Sequence, residues 1–322
     1  MKTTTIRAIF GGLMMAFSLF SQAQVWPGQT IKIIVPFTPG TGMDTIARTV
    51  SPKLAERLGQ PVIVQNVPGA SGNIGADNVA KAPPDGYTVL MGANTMLISS
   101  QLYKNVAFNP ITDFSPVSMA AYGTLMLVAN PKTGIKSMNE LISTVKSRPG
   151  YVTYGSPGIG TPHHMAMELF KSQFGGFMLH VPYKGTAGYV QDLLGGELMV
   201  GFLPVHVAQG FVSSGKLTAL AVGGDKRHPV APNVPTVQEL GVKGVSVDMW
   251  YGFFVPAKTP STVVSRLNSE IAAIMKLPDV QSVLTKAGLD ASASSPAELS
   301  SVVDKDYQRW GSVIKRNSIV GE

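Results

Sequence analysis

Two stretches of the chain combine residue types that can hold an anion with the backbone alone. Pro36-Phe37-Thr38-Pro39-Gly40-Thr41-Gly42-Met43-Asp44 follows the strand-like run Ile31–Val35 and leads into a helical pattern at Thr45. Ser156-Pro157-Gly158-Ile159-Gly160-Thr161-Pro162-His163-His164 follows Val152–Gly155 and leads into another. A strand, a loop of small residues and a helix start in series direct several unpartnered N–H groups at one place, and the helix dipole adds positive potential there. Gly158 and Gly160 allow close backbone approach, while Ser156 and Thr161 offer hydroxyls. The junctions lie about 120 residues apart, which predicts two lobes that each present a helix start to a shared cleft.

Other chemistries are poorly served. Gly69-Ala70-Ser71-Gly72-Asn73-Ile74-Gly75 follows a strand and opens a short helix, but it lacks the G-x-G-x-x-G spacing, and no acidic residue is placed to hold a ribose. There is no G-x-S-x-G elbow, and the His residues are not spaced for zinc. Acidic residues are scattered, so paired-carboxylate catalysis has no support. The chain has no Cys, hence no disulfide, thiolate nucleophile or Cys-type zinc site. The residues therefore read as a binding protein rather than an enzyme, with no cofactor and no metal.

The elements that must position the two loops alternate along the chain. Strands are predicted at Ile31–Val35, Val62–Gln65, Thr88–Met91 (ending at Gly92-Ala93-Asn94-Thr95), Leu125–Ala129, Val152–Gly155, Met178–Val181, Met199–Phe202 and Leu217–Val222. Helices are predicted at Thr45–Leu58, with Ile46, Val50, Leu54 and Leu58 at intervals of four and Gly59 as stop, and at Asn73–Lys81, Met138–Ser147, His164–Gln173, Thr262–Lys276 and Pro296–Lys315. Short strands alternating with helices predict an α/β fold with mostly parallel sheets covered on both faces. Ligands of such folds bind beyond the carboxyl ends of the strands.

Met1–Ala23 reads as a cleavable signal peptide: Lys2 and Arg7, an apolar run from Ala8 to Phe20, then Ser21-Gln22-Ala23. About 13 apolar residues are too few to span a bilayer. No Cys follows, so the expected product is a periplasmic protein of 299 residues, its formal charge reduced from +7 to +5 by loss of two basic residues. No basic run with interleaved aromatics argues for nucleic acid as partner. The mild positive charge favours anionic ligands and equally describes an ordinary surface.

The chain closely resembles the Bug (TctC-like) family of extracytoplasmic solute-binding proteins of tripartite tricarboxylate transporters. The matching segments include Ile33–Gly40 with Asp44, Arg57–Val62, Pro68–Ala76, Pro84–Thr88, Asp113–Val117, Tyr154–His164, Val181–Gly185, Leu193–Gly196, Gly215–Val222, Val234–Val237 and Pro256–Pro260. The resemblance implies a two-lobed periplasmic binding protein fold of the type II kind, with a hinge and a ligand cleft between the lobes. Lobe 1 is expected to take residues 24–123 and 249–322, and lobe 2 residues 124–248. It further implies a monomer holding a carboxylate by main-chain amides and ordered waters, and membrane permease subunits as partners. A sensory role would keep the same site with a different partner.

The candidate ligand contacts are Phe37, Thr38, Gly40 and Thr41 in the first loop, Asn94 and Thr95 after the third strand, and Ser156, Gly158, Gly160, Thr161 and His164 in the second loop. Leu203 and His206 complete the set. Thr41 stands where the family commonly has a second Gly. Leu203 stands where many members have an Asp able to meet an amino group, so an ammonium-bearing ligand is disfavoured. His206 is read either as a carboxylate donor or as a surface His at a helix start. His164 matches a family position, whereas His163 does not, and the two adjacent rings fall on different helix faces. Phe37, Met43, Met96, Leu203 and Trp250 are candidates for an apolar wall, with plain core as the alternative. Anion-binding loops around an apolar middle suit an aromatic or medium-chain dicarboxylate, terephthalate first; aliphatic di- and tricarboxylates are the alternative.

Overall fold

The computed structural model describes residues 26–242 and 249–321. The expected signal peptide lies outside the described residues. β1 (Ile31–Val35) pairs in parallel with β2 (Val62–Asn66) and β3 (Thr88–Ala93). α1 (Gly42–Leu58) crosses from β1 to β2, starting at the Thr41 N-cap and stopping at Gly59, whose φ of 68° is the left-handed conformation a glycine C-cap supplies. Its Ile46, Val50 and Leu54 are buried against the sheet. α2 (Asn73–Ala80) leads to β3, and α3 (Asn94–Leu102) follows β3 with no intervening loop.

β4 (Phe114–Gly123) is the last strand of this first sheet before the chain crosses over. One residue later β5 (Leu125–Ala129) opens the second sheet. There follow α4 (Met138–Ser147), β6 (Thr153–Ser156), α5 (Pro162–Ser172), β7 (Leu179–Pro182), α6 (Thr186–Gly195), β8 (Val200–Pro204), α7 (Val205–Ser213) and β9 (Thr218–Val222). The chain then returns as β10 (Met249–Pro256), which inserts between β3 and β4. α8 (Ser261–Met275), α9 (Pro278–Lys286), β11 (Leu289–Ala291) and α10 (Pro296–Arg316) complete the first lobe. The sheet orders are β11-β4-β10-β3-β1-β2 and β7-β6-β8-β5-β9.

Among the described residues, four of the six strands in the first sheet and four of the five in the second point one way. The prediction of mostly parallel sheets thus holds in strand direction, but the hydrogen-bond ladders are mixed. β5 and β10 are the reversed strands that receive the chain as it passes between lobes, and β11 reverses at the edge. β1 shows how both faces of the first sheet are covered: Ile31, Ile33 and Val35 join the core under α1 and α8, and Ile34 joins a second core with Phe254 and Leu299.

One helix of the second lobe, α6, is seated by a slot cut into its sheet. Gly155 of β6 and Gly201 of β8 are register partners, and the Tyr189 ring of α6 lies across both. A Cβ on Gly201 would stand 2.1 Å from the Tyr189 hydroxyl, and one on Gly155 2.5 Å from the ring. The hydroxyl donates to the Phe202 carbonyl at 2.7 Å, so the ring is locked in depth as well as in plane. Gly201→Ala overpacks the slot, and the expected cost is about 2–3 kcal/mol. A lowered urea midpoint with an unchanged slope measures it.

Candidate functional site

The first loop is held from behind by one buried carboxylate. Asp44, on the first turn of α1, accepts the Gly40 N–H at 3.0 Å, Arg48 Nε at 3.0 Å and Asn66 Nδ2 at 2.9 Å. Asn66 also donates to the Phe37 carbonyl at 3.0 Å. Burial raises the Asp44 pKa, but the hydrogen bonds from Arg48, Gly40 and Asn66 together with the guanidinium charge outweigh it and hold the carboxyl below its ordinary value. The Thr41 hydroxyl accepts the Asp44 N–H at 3.4 Å. Thr41 therefore caps the helix, and the next N–H groups, of Gly42 and Met43, have no partner inside α1.

The second loop is braced by its own side chains. Thr161 caps α5, donating to the Gly158 carbonyl at 2.7 Å and accepting the His164 N–H. The Gly160 N–H is directed to His164 Nδ1 at 3.2 Å. Ser156 Oγ donates to the Gly158 carbonyl at 3.0 Å and pairs with His180 Nε2 at 2.7 Å. The rings of Tyr154, His180 and His164 stack in series, with centroids 4.7 and 4.3 Å apart. Behind the stack, Tyr154 donates to Glu168, which also takes Lys171 at 2.6 Å. Burial, then repulsion from Lys171, lowers the His164 pKa to about 4; burial, then repulsion from His164, lowers that of His180 to about 3. Both imidazoles are neutral near pH 7 and act as braces.

Between the loops lies a chamber enclosing about 460 Å³, solvent at its mouth included. Five helices begin at its wall: α1 with Thr41, Gly42 and Met43; α3 with Ala93, Asn94 and Thr95; α5 with Thr161, Pro162 and His163; α6 with Thr186; and α7 with its N-cap Pro204. No side chain caps α3, α6 or α7, although the first N–H of α7 is taken by the Thr124 carbonyl at 3.0 Å. Phe37, Pro157, Met249 and Tyr251 fill the rest of the wall, which carries no Asp, Glu, Lys or Arg among the described residues. An anion entering here meets helix dipoles and amide donors rather than salt-bridge partners. Among the described residues of the wall, a cation meets no carboxylate.

Of the thirteen predicted contacts, Phe37, Thr41, Asn94, Thr95 and Thr161 line the chamber. Thr38 and Gly158 line an outer interlobe groove that shares Phe37 and Pro157 with it. Gly40, Ser156, Gly160 and His164 belong to or brace the loops but do not line the chamber. Leu203 and His206 are corrected. Leu203 is fully buried in the second lobe's core with Met126 and Tyr189, and the strand's alternation turns its neighbour Pro204 to the chamber. His206 lies against Gly288 of the first lobe, whose Cβ would stand 2.4 Å from Nδ1; burial, then His228, lowers its pKa to about 4. Of the expected apolar wall, Phe37 and Met43 line the chamber, and Met96 a smaller recess beside them. Trp250 faces the first lobe's interior and donates to Asp306 at 2.8 Å. The aromatic residue in the wall is instead Tyr251, one position along β10. Gly42, Ala93, Pro162, His163, Thr186, Pro204 and Met249 were not predicted. Ala93 and Pro204 sit where a helix abuts its strand with no residue between them, Gly42, Pro162, His163 and Thr186 start helices that follow loops, and Met249 opens β10.

The lobes touch through glycines. A Cβ on Gly158 would lie 2.6 Å from Ser71 Oγ, one on Gly185 2.6 Å from Thr38 Oγ1, and one on Gly160 3.2 Å from Ser99 Cα. Ser71 opposite them is held at a left-handed φ of 52° and bonds the Tyr103 hydroxyl at 3.1 Å.

The family model described as tripartite tricarboxylate transporter family receptor, TctC, matches residues 46–319. Protein BugT of Bordetella pertussis is 32% identical over 319 residues, covering 98% of each chain. The structure of Rpa4515 of R. palustris with adipate superposes with a TM-score of 0.87 at 32% identity, covering 92% of this chain and 100% of that one. MatC from Rhodopseudomonas palustris with bound malate superposes with a TM-score of 0.85 at 30% identity, covering 90% and 100%.

Asp44→Asn keeps the shape of the brace and removes its charge, at an expected cost of about 1–2 kcal/mol at pH 7. Because the folded pKa lies below the ordinary 3.8, the carboxylate's stabilisation is complete above that value and is lost as pH falls through the folded one. Chemical denaturation of both proteins checks this: the gap at pH 7 begins to narrow as the pH drops below about 4 and closes below the folded pKa.

Proposed function

The chain belongs to the tripartite tricarboxylate transporter receptor family, and from that premise we propose that it captures a dicarboxylate with an apolar middle between its lobes. It is a solute-binding receptor, not an enzyme. The observation that carries the ligand reading is the convergence of five helix starts on a wall without charged side chains. One carboxylate sits at the N–H groups of Gly42 and Met43, beside Thr41. The opposing helix starts at Thr161 and Thr186 close over it. The Phe37, Met43, Met249 and Tyr251 surfaces pack the middle of the molecule. Terephthalate is the first choice for so flat and apolar a wall. The neighbours with adipate and malate favour an aliphatic dicarboxylate as the second reading.

Binding then proceeds by closure. In an open form the loop amides are hydrated, and closing replaces those waters with charge-assisted hydrogen bonds. Ligand favours the closed form only through contacts with both lobes. The protein acts in the periplasm after removal of Met1–Ala23 and presents its closed form to the membrane subunits of the transporter. The division into residues 24–123 with 249–322 and 124–248 gives each lobe one of the two sheets. Thr38 and Gly158, at the interlobe groove, act in closing rather than in gripping ligand.

A thermal-shift screen of terephthalate, adipate, malate, citrate and glutamate tests the reading. A ligand at about 100 times its Kd is expected to raise Tm by about 5 °C or more. Tight binding of citrate or glutamate with no response to terephthalate or adipate overturns the ligand class. Gly160→Val, at a φ of 77° and against Ser99, is expected to weaken the best ligand at least about tenfold, since side chains strain that conformation. Calorimetry reads the loss, and circular dichroism establishes that the variant is folded.

A further inference from the structure

His163 carries two ring nitrogens that are both buried without a hydrogen-bond partner. The residue is only 8% exposed, and its ring forms part of the chamber wall, one position after Pro162 at the start of α5. Its neighbour His164 turns the other way, into the brace of the second loop. The His163 ring stands edge-on to Tyr189, with centroids 6.4 Å apart and planes at 81°. Tyr189 is itself locked in the slot formed by Gly155 and Gly201, so the imidazole packs on a fixed surface where it borders the chamber. Burying an imidazole with neither nitrogen paired is costly. An apolar side chain would fill the same position without that cost.

We propose that His163 is the specificity residue of the chamber, hydrogen-bonding a second polar group of the ligand, a distal carboxylate or hydroxyl, so that a ligand polar at both ends is preferred to one ending in a methyl group or a bare ring. The inference rests on the carboxylate reading above. Burial lowers the His163 pKa to about 3, so the ring is neutral in the empty chamber and offers one N–H donor and one lone pair. In an open form water satisfies both nitrogens. Closure on a diacid exchanges that water for the distal oxygen, whereas closure on the matching monoacid leaves the ring buried and unpaired. Sites built to hydrogen-bond a substrate group reject the analogue that lacks it for this reason.

The test uses two matched pairs, adipate with hexanoate and terephthalate with benzoate, titrated calorimetrically into the wild type, His163→Leu and His163→Gln. The wild type is expected to prefer the diacid of at least one pair by about 30-fold or more. His163→Leu should reduce that preference to about threefold or less, chiefly by losing diacid affinity, while His163→Gln, which keeps a donor and an acceptor, retains most of it. The His163 ring 15N resonances of the wild type should shift with the diacid and not with the monoacid. Wild-type preference retained in folded His163→Leu, or ring resonances unmoved by a diacid that binds, overturns the role of His163 and leaves the carboxylate reading intact. If His163→Leu does not fold, the ring resonances and His163→Gln decide. A folded wild type that binds neither member of either pair overturns the reading of a dicarboxylate with an apolar middle, and this inference with it.

Discussion

The first N–H groups of a helix have no partner within it, and the architecture of this protein is organised by where those groups are aimed. Each lobe is a sheet whose strands run largely one way, so the helix starts that follow the strands gather at one edge. The two lobes turn these edges toward each other. A chamber results with five helix starts in its wall and no formally charged side chain among its described residues. Its polarity comes chiefly from the backbone.

Backbone donors hold a ligand well only if they do not move. In the first lobe Asp44, Arg48 and Asn66 brace the loop from behind. In the second the brace is the stacked Tyr154, His180 and His164, closed off by Glu168 and Lys171. Neither set touches the chamber interior, and both place polar groups where a purely apolar support would leave the loop amides and carbonyls unmet. Glycines where the lobes meet let the two rigid loops approach to backbone distance.

Both braced loops were legible in the sequence, because a strand, small residues and a helix start leave a clear signature. Helices with plain spacing, such as Met138–Ser147, were legible to the residue. The other helix starts were not. α3 follows β3 and α7 follows β8 with no residue between strand and helix, Gly92 and Pro204 belonging to the strands themselves, so the sequence marks no turn at either boundary. β4 carries Ser, Pro, Ala and Gly and does not read as a strand. β10 was missed although it is buried throughout, since a fully buried strand shows no alternation. With β10 unread, Trp250 stood as a candidate for the wall with plain core as the alternative, and Tyr251 was left out. Likewise Leu203 was chosen where Pro204 lines the chamber. In both cases the stretch was right and the face was wrong, because a strand's two faces differ by one residue and only the tertiary structure says which is inward.

The placement of β10 also sets the order in which the chain can be assembled. It lies between β3 and β4, yet more than a hundred residues separate it from either. Until Met249–Pro256 has been synthesised, β3 and β4 have a one-strand gap between them and cannot complete their ladders. The first lobe, whose strands begin the chain, is therefore finished last, after the whole of the second lobe has been made. Bringing these segments together is a contact of long sequence separation, the kind that slows folding. A fragment ending before residue 249 contains all of the first lobe's parallel strands and still lacks the middle of its sheet.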